Sequence, residues 1–160
     1  MGALFAADTL QGPKVDWFAL SPLLVLLGGA MVLLVVGSLT PAWPKRGYAL
    51  YTGAVALVAG VLAVVLWHRV DDKGPIRLVG DAMHLDKFGL WLTIAIVTAV
   101  LLGAFLADDY LRREGIDGPE LYVLFMLAGL GGVVMASAND LIVLFLGLEI
   151  LSIAMYVMAA

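Results

Sequence analysis

Cysteine is absent from the 160 residues, which excludes disulfides, thiolate metal sites, cysteine-held iron–sulfur clusters and c-type haem attachment. Charge is scarce as well. Only 14% of the residues are Asp, Glu, Lys or Arg, against about 25% in a soluble domain. The nine Lys and Arg are scattered in ones and twos against thirteen Asp and Glu, for a net charge of −4. No basic stripe exists to hold phosphates, so nucleic acid is not an expected partner. The stretch from Met1 to Asp16 has no basic n-region followed by an h-region and cleavage site, so no removed signal peptide is expected. Ala6 breaks the myristoylation pattern. What the chain has in excess is apolar surface: 63% hydrophobic residues before its 18 glycines are added, and a mean hydropathy of +1.05. One core could not hide that much surface from water. The solvent of this chain is lipid, and the bilayer is its first partner.

Five segments are long enough to cross a hydrocarbon core of about 30 Å, which takes about 20 apolar residues: Trp17–Leu39, Tyr48–Trp67, Phe88–Ala107, Leu121–Ala138 and Leu141–Ala160. With no water to satisfy an open backbone, each must be helical. The expected fold class is therefore all-α, a polytopic membrane protein with one domain over 1–160. The punctuation agrees. Thr40-Pro41-Ala42-Trp43-Pro44 closes the first span and Lys73-Gly74-Pro75 sits in the longest loop. Asp117-Gly118-Pro119-Glu120 opens the fourth with a proline in its first turn and an acid at the positive end of the helix dipole. Trp17, Trp43, Tyr48, Trp67, Trp91, Tyr110 and Tyr122 fall at span ends, as an aromatic belt requires. Between spans four and five only Asn139 and Asp140 remain, so the two form an antiparallel hairpin, with Asn139 as the expected cap of the fifth helix. Lys45, Arg46, Arg112 and Arg113 fall on one side and Lys14, Arg69, Lys73, Arg77 and Lys87 on the other. That near balance gives no orientation by the positive-inside rule.

The small-xxx-small pairs Ala56/Gly60, Ala99/Gly103 and Ala128/Gly132, and the run Gly129-Leu130-Gly131-Gly132, suit close helix packing. That run is not a dinucleotide fingerprint, because Val134 stands where the third glycine would be and no strand precedes it. His68, between Trp67 and Arg69, reads as an interfacial residue. His84 with Asp81 and Asp86 could be drawn as a metal cluster, but no fourth ligand presents itself, and no metal is expected. Asp108 and Asp109 close the third span as a solvated rim.

All but one of the charged residues lie in loops or at span ends; the exception is Glu149, ninth residue of the fifth span and close to the bilayer midplane. An acid at the centre of a membrane helix costs several kcal/mol. Desolvation favours its neutral form and a nearby cation favours its ionised form. A carboxyl balanced between those situations takes up and releases a proton as its partner moves, which is what a proton relay requires. The plainer alternative is a neutral acid acting as interhelical glue. Ser152, Met155 and Tyr156 follow at i+3, i+6 and i+7, on roughly the same face. Ser152 could hydrogen-bond the carboxyl and Tyr156 could extend a wire of hydroxyls. No Lys, Arg or His lies within the five spans, so a counter-cation for Glu149 must come from another chain or from beyond residue 160.

The stretch Met135-Ala-Ser-Ala-Asn-Asp-Leu-Ile-Val-Leu-Phe-Leu-Gly-Leu-Glu149-Ile-Leu-Ser-Ile-Ala-Met-Tyr156-Val-Met-Ala-Ala160 resembles the fourth and fifth helices of the antiporter-like subunits of proton-pumping NADH-quinone oxidoreductase, respiratory complex I. The form Leu-Glu-Ile-Leu-Ser followed by Tyr156 is most similar to subunit N. Subunits L and M and the multisubunit cation/proton antiporters usually carry Trp before the glutamate, where this chain has Leu148. The resemblance is strongest from Leu85 to Ala160. It implies a multi-pass subunit of a bacterial plasma membrane whose partners are the other membrane-arm subunits. Such a subunit takes part in proton translocation without redox chemistry of its own. NADH, FMN, iron–sulfur clusters and quinone would be handled by partner subunits, with no cofactor on this chain. The family's key acid maps onto Glu149, where it works with a lysine on a later helix. The family continues for roughly nine helices past the fifth, so 1–160 is expected to be the N-terminal part of a longer subunit, and these five helices alone should not pump. The other readings are a cation/proton antiporter subunit and a non-transporting structural or assembly fragment.

Overall fold

A computed structural model of the chain describes residues 15–39, 45–114 and 118–160. Five helices and one small hairpin follow one another: α1 (Ser21–Leu39), α2 (Lys45–Lys73), β1 (Ile76–Leu78), β2 (Met83–Leu85), α3 (Lys87–Glu114), α4 (Glu120–Ala136) and α5 (Leu141–Ala159). The all-α, polytopic class holds. Four of the helices are long and apolar enough to cross a membrane. The fourth, α4, has 17 residues, about 26 Å at 1.5 Å each, which is the short end of the spanning range. The turn 40–44 and Asp117 lie outside the described residues.

The apolar runs underestimate two helices. Tyr48–Trp67 becomes α2, ending at Lys73, where Gly74 takes a left-handed φ of 79° and Pro75 follows, as at many helix C-termini. Phe88–Ala107 becomes α3, which runs through Asp108 and Asp109 to Glu114. Those acids therefore lie within the helix rather than at its end, with Asp109 exposed. Asp109 pairs with Arg113 at i+4, 2.6 Å apart, and Asp108 accepts a hydrogen bond from Tyr122 Oη at 3.4 Å. At the start of α4, Pro119 occupies the N-cap rather than the first turn.

Packing centres on α4, which touches α1, α3 and α5 and, over a smaller area, α2, while α2 and α3 form a second close antiparallel pair. The core runs the length of the bundle: Leu66, Leu78, Leu85 and Leu90 at one end, Leu26, Ala59, Val97 and Leu130 in the middle, and Leu33, Tyr48, Ala104 and Met126 at the other. Lipid tails are as apolar as leucine, so association here rests on close packing and small residues. A Cβ on Gly29 would stand 2.5 Å from Val55 Cγ1, and one on Gly129 would stand 2.6 Å from Val100 Cγ2.

The loop between α2 and α3 holds an antiparallel hairpin not anticipated from the sequence, pairing Ile76 with Leu85, Arg77 with His84 and Leu78 with Met83. Leu78, Met83 and Leu85 are buried under it. Its turn runs through left-handed φ at Val79 (50°), Gly80 (64°) and Asp81 (71°). Asp81 pairs with Arg77 at 3.0 Å, and Asp86 caps α3 by accepting from Gly89 N at 2.6 Å. Asp81 and Asp86 are thus engaged away from His84. No group of three metal-ligating side chains gathers among the described residues.

Candidate functional site

The corner between α4 and α5 is held by the hairpin. His84 N donates to Ser137 O at 2.8 Å and Asn139 N to Ala82 O at 3.0 Å, with Ala138 bridging Met83. The Asn139 side chain completes the clip, its Nδ2 donating to Asp81 O at 2.8 Å. Asn139 is therefore not the cap of α5. That part falls to Asp140, whose Oδ1 accepts from Val143 N at 2.7 Å, because its extended backbone, with φ −129°, suits an N-cap. The start of α5 is fixed twice, by its cap and by its tie to the hairpin.

From this fixed end α5 crosses beside α4. Gly147 and Ala154 are its buried residues, seven apart and so on one stripe. Glu149 lies two residues beyond Gly147, about 200° around the helix, and it is exposed. Its face also carries Ile142, Phe145, Ile153 and Tyr156, all exposed, with Ser152 half-buried. Glu149 is the ninth of the 19 residues of α5, close to the midpoint of the helix. Among the described residues, no side-chain hydrogen bond or ion pair engages Glu149, Ser152 or Tyr156. They share one side of α5, as their spacing requires, but they do not bond to one another. A carboxyl in this position, ringed by apolar side chains and turned from the bundle, needs a polar neighbour on that side to be stable in a membrane.

Among the described basic residues, several stand near helix ends or on the hairpin. His68 and Arg69 lie near the end of α2, outside the apolar run. Arg69 pairs with Asp16 at 2.7 Å and sits 5.6 Å from the centre of the Phe18 ring. Its guanidinium holds the Asp16 carboxyl below the ordinary carboxylate range, against a smaller opposing effect of burial, and the amides of Ala19 and Phe18 add to the lowering. Lys87, at the start of α3, pairs with Asp71. His84 sits on β2 opposite Arg77.

Sequence reasoning missed the clip. The available signal was Gly80-Asp81 between the alternating apolar residues Ile76, Leu78, Met83 and Leu85, a pattern that fits a hairpin but spans only three residues a side.

No protein-family model matches the chain. Among curated proteins it is 39% identical over 150 residues to NADH-quinone oxidoreductase subunit N 2 of Roseiflexus castenholzii, covering 91% of this chain and 28% of that protein. It is 38% identical over 154 residues to NADH-quinone oxidoreductase subunit N of Chloroflexus aggregans, covering 94% and 30%. Subunit N of a Geobacillus species is 32% identical over 147 residues, covering 91% and 29%. The chain spans just under a third of the length of these relatives. Over nine-tenths of its own length it is similar to subunit N, the member of the antiporter-like group that its Leu-Glu-Ile-Leu-Ser motif singled out.

Proposed function

We propose that this chain is the N-terminal portion of subunit N of a bacterial NADH-quinone oxidoreductase, and that Glu149 is a proton-relay carboxyl of that subunit. The observation that carries the reading is the place of Glu149: halfway along a membrane-spanning helix, exposed, on the opposite side of α5 from the helix it packs against. The chain lies as a single membrane domain in the plasma membrane, beside the other membrane-arm subunits. NADH oxidation and quinone reduction take place on partner subunits, which hold the cofactors.

The residues of this chain contribute a proton-binding group and the frame that holds it. The switch for the proton relayed at Glu149 is a cation that approaches and leaves its side of α5. The cation belongs to a lysine on a helix outside these five, as the resemblance implies. Ser152 and Tyr156 stand on the same side of α5 and continue the path as hydroxyl donors and acceptors bridged by water. Moving one charge against 100 mV takes about 2.3 kcal/mol. A hundredfold change in proton affinity is worth about 2.7 kcal/mol, enough for one such step.

Glu149→Gln in the full-length subunit tests the reading. The variant is expected to assemble and to lose proton translocation, measured in sealed vesicles as protons moved per NADH oxidised. Gln hydrogen-bonds nearly as well as a neutral acid, so glue alone leaves pumping intact. Normal pumping by Glu149→Gln overturns the relay.

A further inference from the structure

We infer that Gly131 and Gly147 are positioning residues for Glu149: their backbone contact sets the rotation of α5, and so the direction in which the carboxyl leaves the bundle. The inference rests on the relay reading of Glu149. At the crossing of α4 and α5 the two helices touch main chain to main chain. A Cβ on Gly131 would stand 2.6 Å from Leu151 N and 2.7 Å from Gly147 O. One on Gly147 would stand 2.6 Å from Met135 Cγ and 2.9 Å from both Gly131 O and Met135 N. The obstruction at Gly131 is backbone, so no change of rotamer relieves it.

Ordinary contact begins at 3.4 Å. Relief of a 2.6 Å approach therefore requires α5 to move by about 0.8 Å (3.4 − 2.6) or to turn about its axis. Among the other restraints on α5, the clip from the hairpin to Asn139 holds only its start, and Val143, Ile150 and Ala154 pack through side chains. The glycine contact is made against main chain, which cannot change rotamer, so it fixes the rotation most firmly. A carboxyl on the rim of a helix, about 5–6 Å from the axis, travels about 1 Å when the helix turns by about 10°. Misplacing a reacting group by about 1 Å can lower a rate by up to about 100-fold. Gly147 and Glu149 are two residues apart, so a shift at the first reaches the second undamped.

The test is made in the full-length subunit within its complex, with Gly131→Ala beside Glu149→Gln and Gly29→Ala. The last introduces a 2.5 Å contact with Val55 between α1 and α2, and so controls for packing strain remote from α5. Two quantities are read in assembled complex: protons moved per NADH oxidised, and the infrared absorption of the Glu149 carboxyl, identified by its loss in Glu149→Gln. Gly131→Ala is expected to lower the proton ratio by about twofold or more and to shift the absorption, while Gly29→Ala changes neither. A purely structural glycine would lower the amount of complex and leave both readings alone.

Should Gly131→Ala fail to accumulate, Gly147→Ala combined with Met135→Ala serves instead. It removes the side-chain obstruction and keeps the 2.9 Å backbone contacts. Unchanged readings in an assembled α4 or α5 variant, or equal changes in Gly29→Ala, overturn the inference. Failure of the relay reading shows separately, as normal pumping in Glu149→Gln.

Discussion

α4 and α5 are neighbours of nearly equal length and apolarity, yet they live in different surroundings. α4 buries Tyr122, Val123, Met126, Gly129, Leu130, Gly131 and Val133 among four other helices. α5 buries two small residues, packs Val143 and Ile150 partway against the core and leaves most of its other residues exposed. Hydropathy does not separate the two, since both are greasy on every side. The position of the one carboxyl does. α4 has no charge past its first turn, where Glu120 complements the helix dipole, and α5 carries Glu149 halfway along the face opposite its packing stripe. A helix that keeps an acid there is suited to further protein on that side, where the acid can find a partner, rather than to lipid alone.

The contrast can be broken most sharply by moving the charge. Leu130→Glu places an unpaired carboxyl in the core of α4, at a residue only 4% exposed. An acid at a helix centre costs about 2.5–3.5 kcal/mol, and the lost packing of a core leucine adds about 2–5 kcal/mol. The variant is expected to be nearly absent from membranes by immunoblot, where Glu149→Gln is present at ordinary levels. Equal levels of the two would mean that the surroundings of α4 and α5 do not differ as described.

A smaller effect sharpens the view of how α5 is anchored. Asp140→Ala removes the cap of α5 and is expected to cost about 1 kcal/mol, seen as faster amide exchange at Val143. Exchange at Val123, in the first turn of α4, should stay unchanged, because no side chain caps that helix.

The smallest effect lies at the same end of the bundle, before the start of α1. The carboxyl of Asp16 is held low by Arg69, so the folded state binds this proton less readily than the unfolded chain does. The stability of the contact is complete above the unfolded value of about 3.9 and is lost as pH falls through the lower folded value. Both side chains are about 30% exposed, which limits the effect to under about 1 kcal/mol. Acidification is expected to quicken amide exchange at Phe18 and Ala19 only below about pH 4, and Asp16→Asn should abolish that dependence.

The features that span the bilayer were legible in the sequence because lipid leaves so few alternatives. Every long apolar run became a helix, and the antiparallel hairpin of α4 and α5 followed from a two-residue link. Legibility failed where water returns. The extra turns of α2 and α3 are polar, so Arg69, Asp71, Asp109 and Arg113 hid them from a search for apolar runs, although ion pairing supports helix there. The β1–β2 hairpin escaped because three residues a side give too short a period to stand out. It takes Asn139 as its own partner and leaves the cap to Asp140. Glu149 was legible as an anomaly of depth, but the side of α5 on which it lies required the glycine contact. No hydropathy pattern announces that Gly147 rather than Leu148 meets α4.

The most direct test of the claim that α5 presents an interior face of a larger subunit is the intact mass of the native polypeptide from membranes, together with the size of the particle it migrates with. The relatives are covered to 28–30% of their length, so a polypeptide roughly three times heavier than 16.9 kDa, inside a large NADH-oxidising assembly, is the expected result. A 16.9 kDa species migrating alone would contradict it, and would leave Glu149 as a structural acid with no lysine to answer it.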